Sequence, residues 1–239
     1  HARWRGAHGM TSLPKYLAQQ LPEPVKTEVR VRSLSVQDNA VHLHCESSEI
    51  VVARAAVLTA PVPQAVEIFH SGGLRPPAVD PEVWGALSSV EYSPCFSLML
   101  WLAKPSLLPD PGGLEVCSGP VAWIGDNYKK GISPVPSLTV QATAEFSREH
   151  FDTEPSQVED KLIEAVHCWI DGKASDEVRA TSLQRWKYAF PVSPLKAPMI
   201  AVQNKPPVVC CGDAFGGGRV ESAASSGLAA ARWIQRLLG

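Results

Sequence analysis

The sequence has no apolar run near the roughly 20 residues of a membrane-spanning helix, no Cys-x-x-Cys pair and no Asn-x-Ser/Thr sequon. Gly-x-Ser-x-Gly, Gly-x-x-x-x-Gly-Lys-[Ser/Thr] and Gly-x-Gly-x-x-Gly are also missing. The first absence excludes a helical span, so a soluble chain without a membrane partner is expected. The next two leave six dispersed cysteines, at 45, 95, 117, 168, 210 and 211, which fit a reducing, cytoplasmic compartment better than a disulfide scaffold. The missing motifs remove the local serine-hydrolase and P-loop signatures. A net charge of -2 offers no basic excess, so no nucleic-acid partner is expected. What is present is ordinary globular material: 45% hydrophobic residues over 239 positions can bury a sizeable core, in one large domain or two smaller ones.

Read along the chain, GMTSLPKYLAQQL places Met10, Leu13, Leu17 and Leu21 at helical spacing, with Ser12 as N-cap and Pro14 in the first turn. VRVRSLSV and VHLHCE alternate about Asp38-Asn39 and predict a hairpin. VVARAAVLTA is nearly continuous in apolar residues and predicts a strand covered on both faces. From about 70 to 202 the strand-like pieces CFSLMLWLA, VAWIGD, LTVQATAEF and LQRWKYAF alternate with proline-rich loops. One amphipathic helix, VEDKLIEAVHCWI, carries Val158, Leu162, Ile163, Val166, Trp169 and Ile170 on one side. KPPVVCC then returns to the style of the first block. The expected organisation is a discontinuous domain (1–69 and 203–239) interrupted by an inserted one (70–202): α/β plus α+β, the insert built on a mostly antiparallel sheet.

The stretch CGDAFGGGRVESAASSGLAAA carries the most chemistry. A strand ending in Gly212-Asp213 sets a carboxylate at the carboxyl edge of a sheet, where open α/β folds bind ligands. That carboxylate suits a polyol, since it accepts two hydroxyl hydrogen bonds. Gly216, Gly217 and Gly218 let backbone approach a flat ligand, and a helix starting near Val220 points free N–H groups at the same place. A tight turn alone would also account for the glycines. Ala223, Gly227, Ala230 and Ala231 recur at three and four and predict a face pressed on the sheet. His42 and His44 share one side of a strand without an evident third ligand, so no metal is expected. Lys129, Lys130 and Arg54 could attract a dinucleotide phosphate, but read more simply as surface charge.

This stretch resembles the C-terminal flavin motif of the FAD-dependent amine-oxidase superfamily, in particular its renalase branch, and the similarity extends over essentially the whole chain. GMTSL with its helix, VRVRSL and VVARAAVLTAPVPQA resemble the middle FAD-binding part; WIGDNYKK and RWKYAFP resemble strands of the substrate domain. The resemblance implies FAD as cofactor and a partial Rossmann-like FAD/NAD(P)-binding domain. It implies that Asp213 binds the flavin ribityl chain, with Gly212 before it. Phe215, Gly216, Gly217, Gly218, Val220 and Glu221 would line the isoalloxazine and its N1–C2=O edge. Val31 would contact adenine, and Ala60 and Pro61 the ADP portion. Trp123, Asn127, Trp186 and Tyr188 are then substrate-pocket residues, with core packing the alternative for each aromatic.

In such enzymes a Gly-x-Gly-x-x-Gly unit comes first, whereas this chain opens HARWRGAHGM; it reads as starting after that unit and is expected to retain little FAD by itself. His8 stands where relatives have proline. The implied function is oxidation of a small molecule, a reduced nicotinamide dinucleotide, by hydride transfer to flavin N5, with oxygen as acceptor and hydrogen peroxide as product. Two other readings stand beside it: a flavin-dependent amine oxidase, and a catalytically silent remnant serving as a binding module.

Overall fold

The computed structural model describes residue 6 and residues 9–239; His8 lies outside the described residues. In chain order the elements are α1 (Ser12–Gln19), β1 (Val31–Gln37), β2 (Ala40–Cys45), β3 (Ile50–Ala53), β4 (Ala56–Leu58), α2 (Val62–Ser71) and α3 (Pro81–Ser88). There follow β5 (Tyr92–Leu102), β6 (Gly113–Glu115), β7 (Val121–Asp126), β8 (Ser137–Ala142), α4 (Ala144–Glu149), α5 (Pro155–Val166) and α6 (Ala174–Glu177). The last are β9 (Val178–Pro191), β10 (Ile200–Asn204), β11 (Pro207–Cys210) and α7 (Val220–Leu238). No helix among the described residues is long and apolar enough to cross a membrane.

Two compact units emerge. One comprises Lys26–Tyr92 with Phe190–Gly239, the other the described residues up to Val25 with Ser93–Ala189. These bounds differ from 1–69, 70–202 and 203–239 for a physical reason. Leu74, Val79, Leu87 and Val90, all after residue 69, share one core with β4 and β11, and Leu195 and Ile200, before 203, pack against it.

In the first unit β1, β2 and β3 form an antiparallel sheet. The hairpin turns at Asp38 and Asn39, whose φ of 49° and 59° give the two left-handed positions of a type I′ turn. The apolar run after it is two strands rather than one. A bend at Arg54, whose guanidinium donates to Leu238 O at 3.3 Å, moves the chain from β3 in this sheet to β4 in the next. Val52 and Val57 accordingly remain exposed. β4 pairs in parallel with β11, and β10 pairs antiparallel with β11 on its other side.

β11 is the strand buried on both faces. Val208 and Cys210 belong to the core with α2 and Phe215, while Val209 and Cys211 meet Ala230, Trp233 and Ile234 of α7. Full burial of each such side chain is worth about 1.5–3 kcal/mol. The seam of α7 is centred on Ser226 and Ala230; Ala231, expected in it, is exposed because it falls one residue, about 100°, past Ala230.

In the second unit the order is β6-β7-β8-β5-β9, with β6–β7, β7–β8 and β8–β5 antiparallel. Phe96, Leu98, Leu100, Ile124, Leu138 and Val140 alternate onto one face, which α5 covers with Val158, Leu162 and Val166. Trp169 and Ile170 pack there from the 3-10 turn after α5 rather than from the helix itself. The AEF end of LTVQATAEF is helical, since Thr143 accepts from Phe146 N at 3.2 Å and starts α4. Helix α1 forms at the expected place, but Thr11 holds its cap position: Ser12 Oγ instead donates to Gly9 O at 2.9 Å. No residue of α1 is buried.

The cysteines give a direct check on this packing. Cys45, Cys95, Cys210 and Cys211 are buried as free thiols, and Cys117 and Cys168 are exposed. Burial, with Cys211 beside it, pushes Cys210 up to about 12, which withholds the reactive thiolate. An aromatic disulfide reagent should titrate two thiols in the native protein and six after denaturation.

Candidate functional site

Parallel pairing aligns Cys210 with Leu58, so β11 and β4 end at one carboxyl edge. From that edge the chain leaves β4 through Thr59, Ala60 and Pro61 into α2, and leaves β11 through Gly212 and Asp213 toward α7. The two turns touch: Cys211 N donates to Leu58 O at 3.0 Å, and a Cβ on Gly212 would stand 3.4 Å from Thr59 O. Ala60, Pro61, Gly212 and Asp213 are thus gathered at one edge; Gly212 meets α7 at Ser226, and neither α2 nor α7 starts with a side-chain cap. At α7 the first-turn amides remain available, with the positive end of the helix dipole, whereas in α2 Pro63 has no N–H and Gln64 N donates to Pro61 O. Val31 is separate in the topology, opening β1 in the antiparallel sheet.

Asp213 is half-buried, and Tyr92 Oη donates to its Oδ1 at 2.8 Å. Burial first, and then the hydrogen bond and charge of Asp213, hold the Tyr92 phenol well above the ordinary tyrosine range. Among the described residues Asp213 Oδ2 has no partner. Ser226, only 1% exposed, fixes the turn from below: Gly212 N donates to its Oγ at 3.0 Å, and that hydroxyl donates to Pro198 O at 2.6 Å.

Beyond Asp213 the chain bends outward. Phe215 is 1% exposed, held in the core by a bridge to Leu195, so it shapes the site from beneath. Gly216 N donates to Leu195 O at 2.8 Å. Gly216 and Gly217 have φ of 80° and 130°, and the Cβ position on Gly216 meets nothing within 4 Å. Gly218 abuts the Pro191 ring, where a Cβ would stand 3.2 Å away. Gly216, Phe215, Lys196, Glu221 and Ser222 border a cavity of about 330 Å³ at the α7 start, where Val220 is exposed.

In the other unit, strand parity brings the four substrate candidates onto one face of the five-stranded sheet. Ile124 points into the core, so Trp123 and Asn127 point away from it. On β9, Leu183 packs on the core and Arg185 lies 5.7 Å from the Phe96 ring, which puts Trp186 and Tyr188 on the opposite face. Asn127 Nδ2 donates to Thr139 Oγ1 at 2.9 Å. The Trp123 indole lies across Gly113, where a Cβ would be 2.7 Å away, and Lys130 Nζ stands 5.1 Å from its ring centre. Lys130 is therefore more than surface charge: burial lowers its pKa, and it covers an aromatic ring. Trp186 is exposed.

Three residues escaped the sequence reading. Tyr92 is 121 residues from Asp213 and carries no local signal. Lys196 sits in a proline-rich loop, and Ser226 was hidden among small residues, although a lone buried hydroxyl on a packed helix face is a recognisable anchor. His44 Nε2 shares a hydrogen bond of 3.0 Å with Ser35 Oγ. Among the described residues no group of three or more His, Cys, Asp or Glu side chains is placed to hold a metal.

Comparison with known proteins agrees with this architecture. The family model of the flavin containing amine oxidoreductases matches residues 2–235. Renalase of Mus musculus is 23% identical over 238 residues, covering 96% of this chain and 68% of its own length. Among solved structures, putrescine oxidase bound to putrescine matches with a TM-score of 0.69 at 16% identity, over 95% of this chain and 53% of that one. A fatty acid isomerase of P. acnes that produces CLA matches at 0.63 and 14%, over 92% and 51%. The chain thus spans about half the length of these solved structures. Oxidation of an amine and isomerisation of a fatty acid share this fold, so the fold by itself does not select a substrate. The chain belongs to the family of flavin-containing amine oxidoreductases, oxidoreductases whose cofactor is FAD.

Proposed function

We propose that the carboxyl edge of β4 and β11 holds the ribityl and pyrimidine parts of FAD, in an enzyme that oxidises a reduced nicotinamide dinucleotide, with oxygen as acceptor and hydrogen peroxide as product. One observation carries the reading. Asp213 offers an unpartnered carboxylate oxygen beside an open glycine turn and an uncapped helix start. A hydroxylated tail, a flat ring and an electron-rich edge match those three features in that order.

The FAD, when bound, supplies the acceptor for a hydride and the means of passing its electrons to oxygen. The residues of the chain do the rest. Asp213 takes the polyol hydroxyls, and the backbone at Gly216 and Gly217 admits the ring face without a side chain in the way. The α7 start, from Val220 and Glu221 onward, directs N–H groups toward the edge where negative charge accumulates. Ala60 and Pro61, at the start of α2, are assigned to the ADP portion, and Val31 to adenine. Trp123, Asn127, Trp186 and Tyr188 are assigned to the substrate. Oxidation of a dihydronicotinamide yields an aromatic cation and requires no general base, so these residues are asked only to bind and orient.

An amine is the second reading, favoured by the aromatic face that carries Trp186 and Tyr188, because rings of this kind attract ammonium groups. One experiment separates the readings. With excess FAD the protein should take up flavin and, without air, be bleached by a reduced nicotinamide dinucleotide, then regain colour with peroxide release when air is admitted. Bleaching by an amine alone would select the second reading. A protein that takes up no flavin from excess FAD would be a binding module instead.

A further inference from the structure

A carboxylate on a turn rotates about two side-chain bonds unless something holds it, and a rotating carboxylate presents a ligand with many geometries instead of one. Asp213 is held by Tyr92. The tyrosine opens β5, and its ring packs against the core that contains Val62, Phe215 and Leu58. Its hydroxyl has one proton to give and lone pairs to receive with. The phenol donates to Asp213 Oδ1 at 2.8 Å. Donor and acceptor come from two parts of the chain 121 residues apart.

That bond fixes which oxygen does what. Oδ1 is engaged by Tyr92, and Oδ2 is left for a ligand hydroxyl. We infer that Tyr92 is the positioning residue for the polyol-binding carboxylate: through its bond to Oδ1 it aims Oδ2 of Asp213 at the ribityl hydroxyls, an inference that rests on the flavin reading above. The phenol remains a donor at neutral pH because burial and the neighbouring carboxylate oppose its ionisation.

The test uses the full chain and two flavins that differ only in the tail, riboflavin and lumiflavin, the latter lacking the polyol. Tyr92→Phe removes one oxygen from a partly buried ring. Riboflavin affinity, read by fluorescence quenching, should fall about tenfold, the loss expected from one hydrogen bond to a charged group. Lumiflavin affinity should change less than about twofold, and this arm reports folding in the same sample. In an Asp213→Ala background, Tyr92→Phe should change riboflavin affinity less than about twofold, since the two side chains act as one unit. Equal losses for riboflavin and lumiflavin, or an unchanged riboflavin affinity in Tyr92→Phe, would overturn the positioning role and leave the flavin reading standing. A wild-type protein that binds neither flavin would overturn both.

Discussion

Asp213→Ala is expected to lower flavin affinity by about 100-fold, roughly 2.7 kcal/mol, which is the upper scale of one hydrogen bond to an ionised acceptor. The same substitution acts on the unliganded fold. Tyr92 Oη loses the carboxylate at 2.8 Å, and a partly buried hydroxyl without its acceptor costs about 1–3 kcal/mol. For a chain of this size that lowers the melting temperature by roughly 2–4 °C per kcal/mol. Asp213→Asn separates the two effects. Its amide oxygen still accepts from Tyr92, so stability should stay close to wild type. Its weaker acceptor should cost about tenfold in flavin affinity. Flavin titration with thermal melts on the three proteins measures both quantities. Unchanged affinity in Asp213→Ala would remove Asp213 from the ribityl role, and a melting loss alone would leave it as a structural partner of Tyr92.

What the chain discloses before folding is governed by sequence distance. The hairpin at Asp38-Asn39 was legible because left-handed turn residues and two-residue periodicity act over a few positions. The Gly212-Asp213 turn and the start of α7 were legible for the same reason. VVARAAVLTA misled because periodicity records apolarity and not which sheet a strand joins; a bend at Arg54 sends its halves to different sheets. The unit bounds shifted because α2 and α3 enter a core assembled with β11, more than 100 residues later. Tyr92 was invisible in the site for a related reason: its role exists only once β5 and the β11–α7 turn are brought together. Ser226 was read as one more small residue, although its hydroxyl joins Gly212 N to Pro198 O.

Gly72→Ala is expected to be the most damaging single-methyl change in the first unit. Gly72 lies at the end of α2, where the helix backbone meets β1. A Cβ there would stand 1.7 Å from Leu34 O and 2.2 Å from Leu34 C, distances that no side-chain rotation can relieve because both atoms are backbone. Neither side can give easily. Gly72 N is held to Ile68 O and Phe69 O, at 3.3 and 3.1 Å, and Leu34 is fully buried in the centre of a paired strand. Accommodation requires α2 to move off β1, which loosens Phe69 and Ala65 in the same core. The cost should be about 3 kcal/mol or more, at the upper end of overpacking, and the melting temperature should fall by roughly 6–12 °C. Gly73→Ala is the control. Gly73 has φ of 85° and nothing within 4 Å of its Cβ position, so only the left-handed backbone opposes alanine, at about 1 kcal/mol. Denaturant melts of the two variants should therefore differ by about 2 kcal/mol, the difference between overpacking and backbone strain. Equal losses would mean that α2 yields freely at its C-terminus. Because α2 begins at Val62, beside Tyr92, a shift of the helix should also weaken flavin binding in Gly72→Ala and leave it intact in Gly73→Ala.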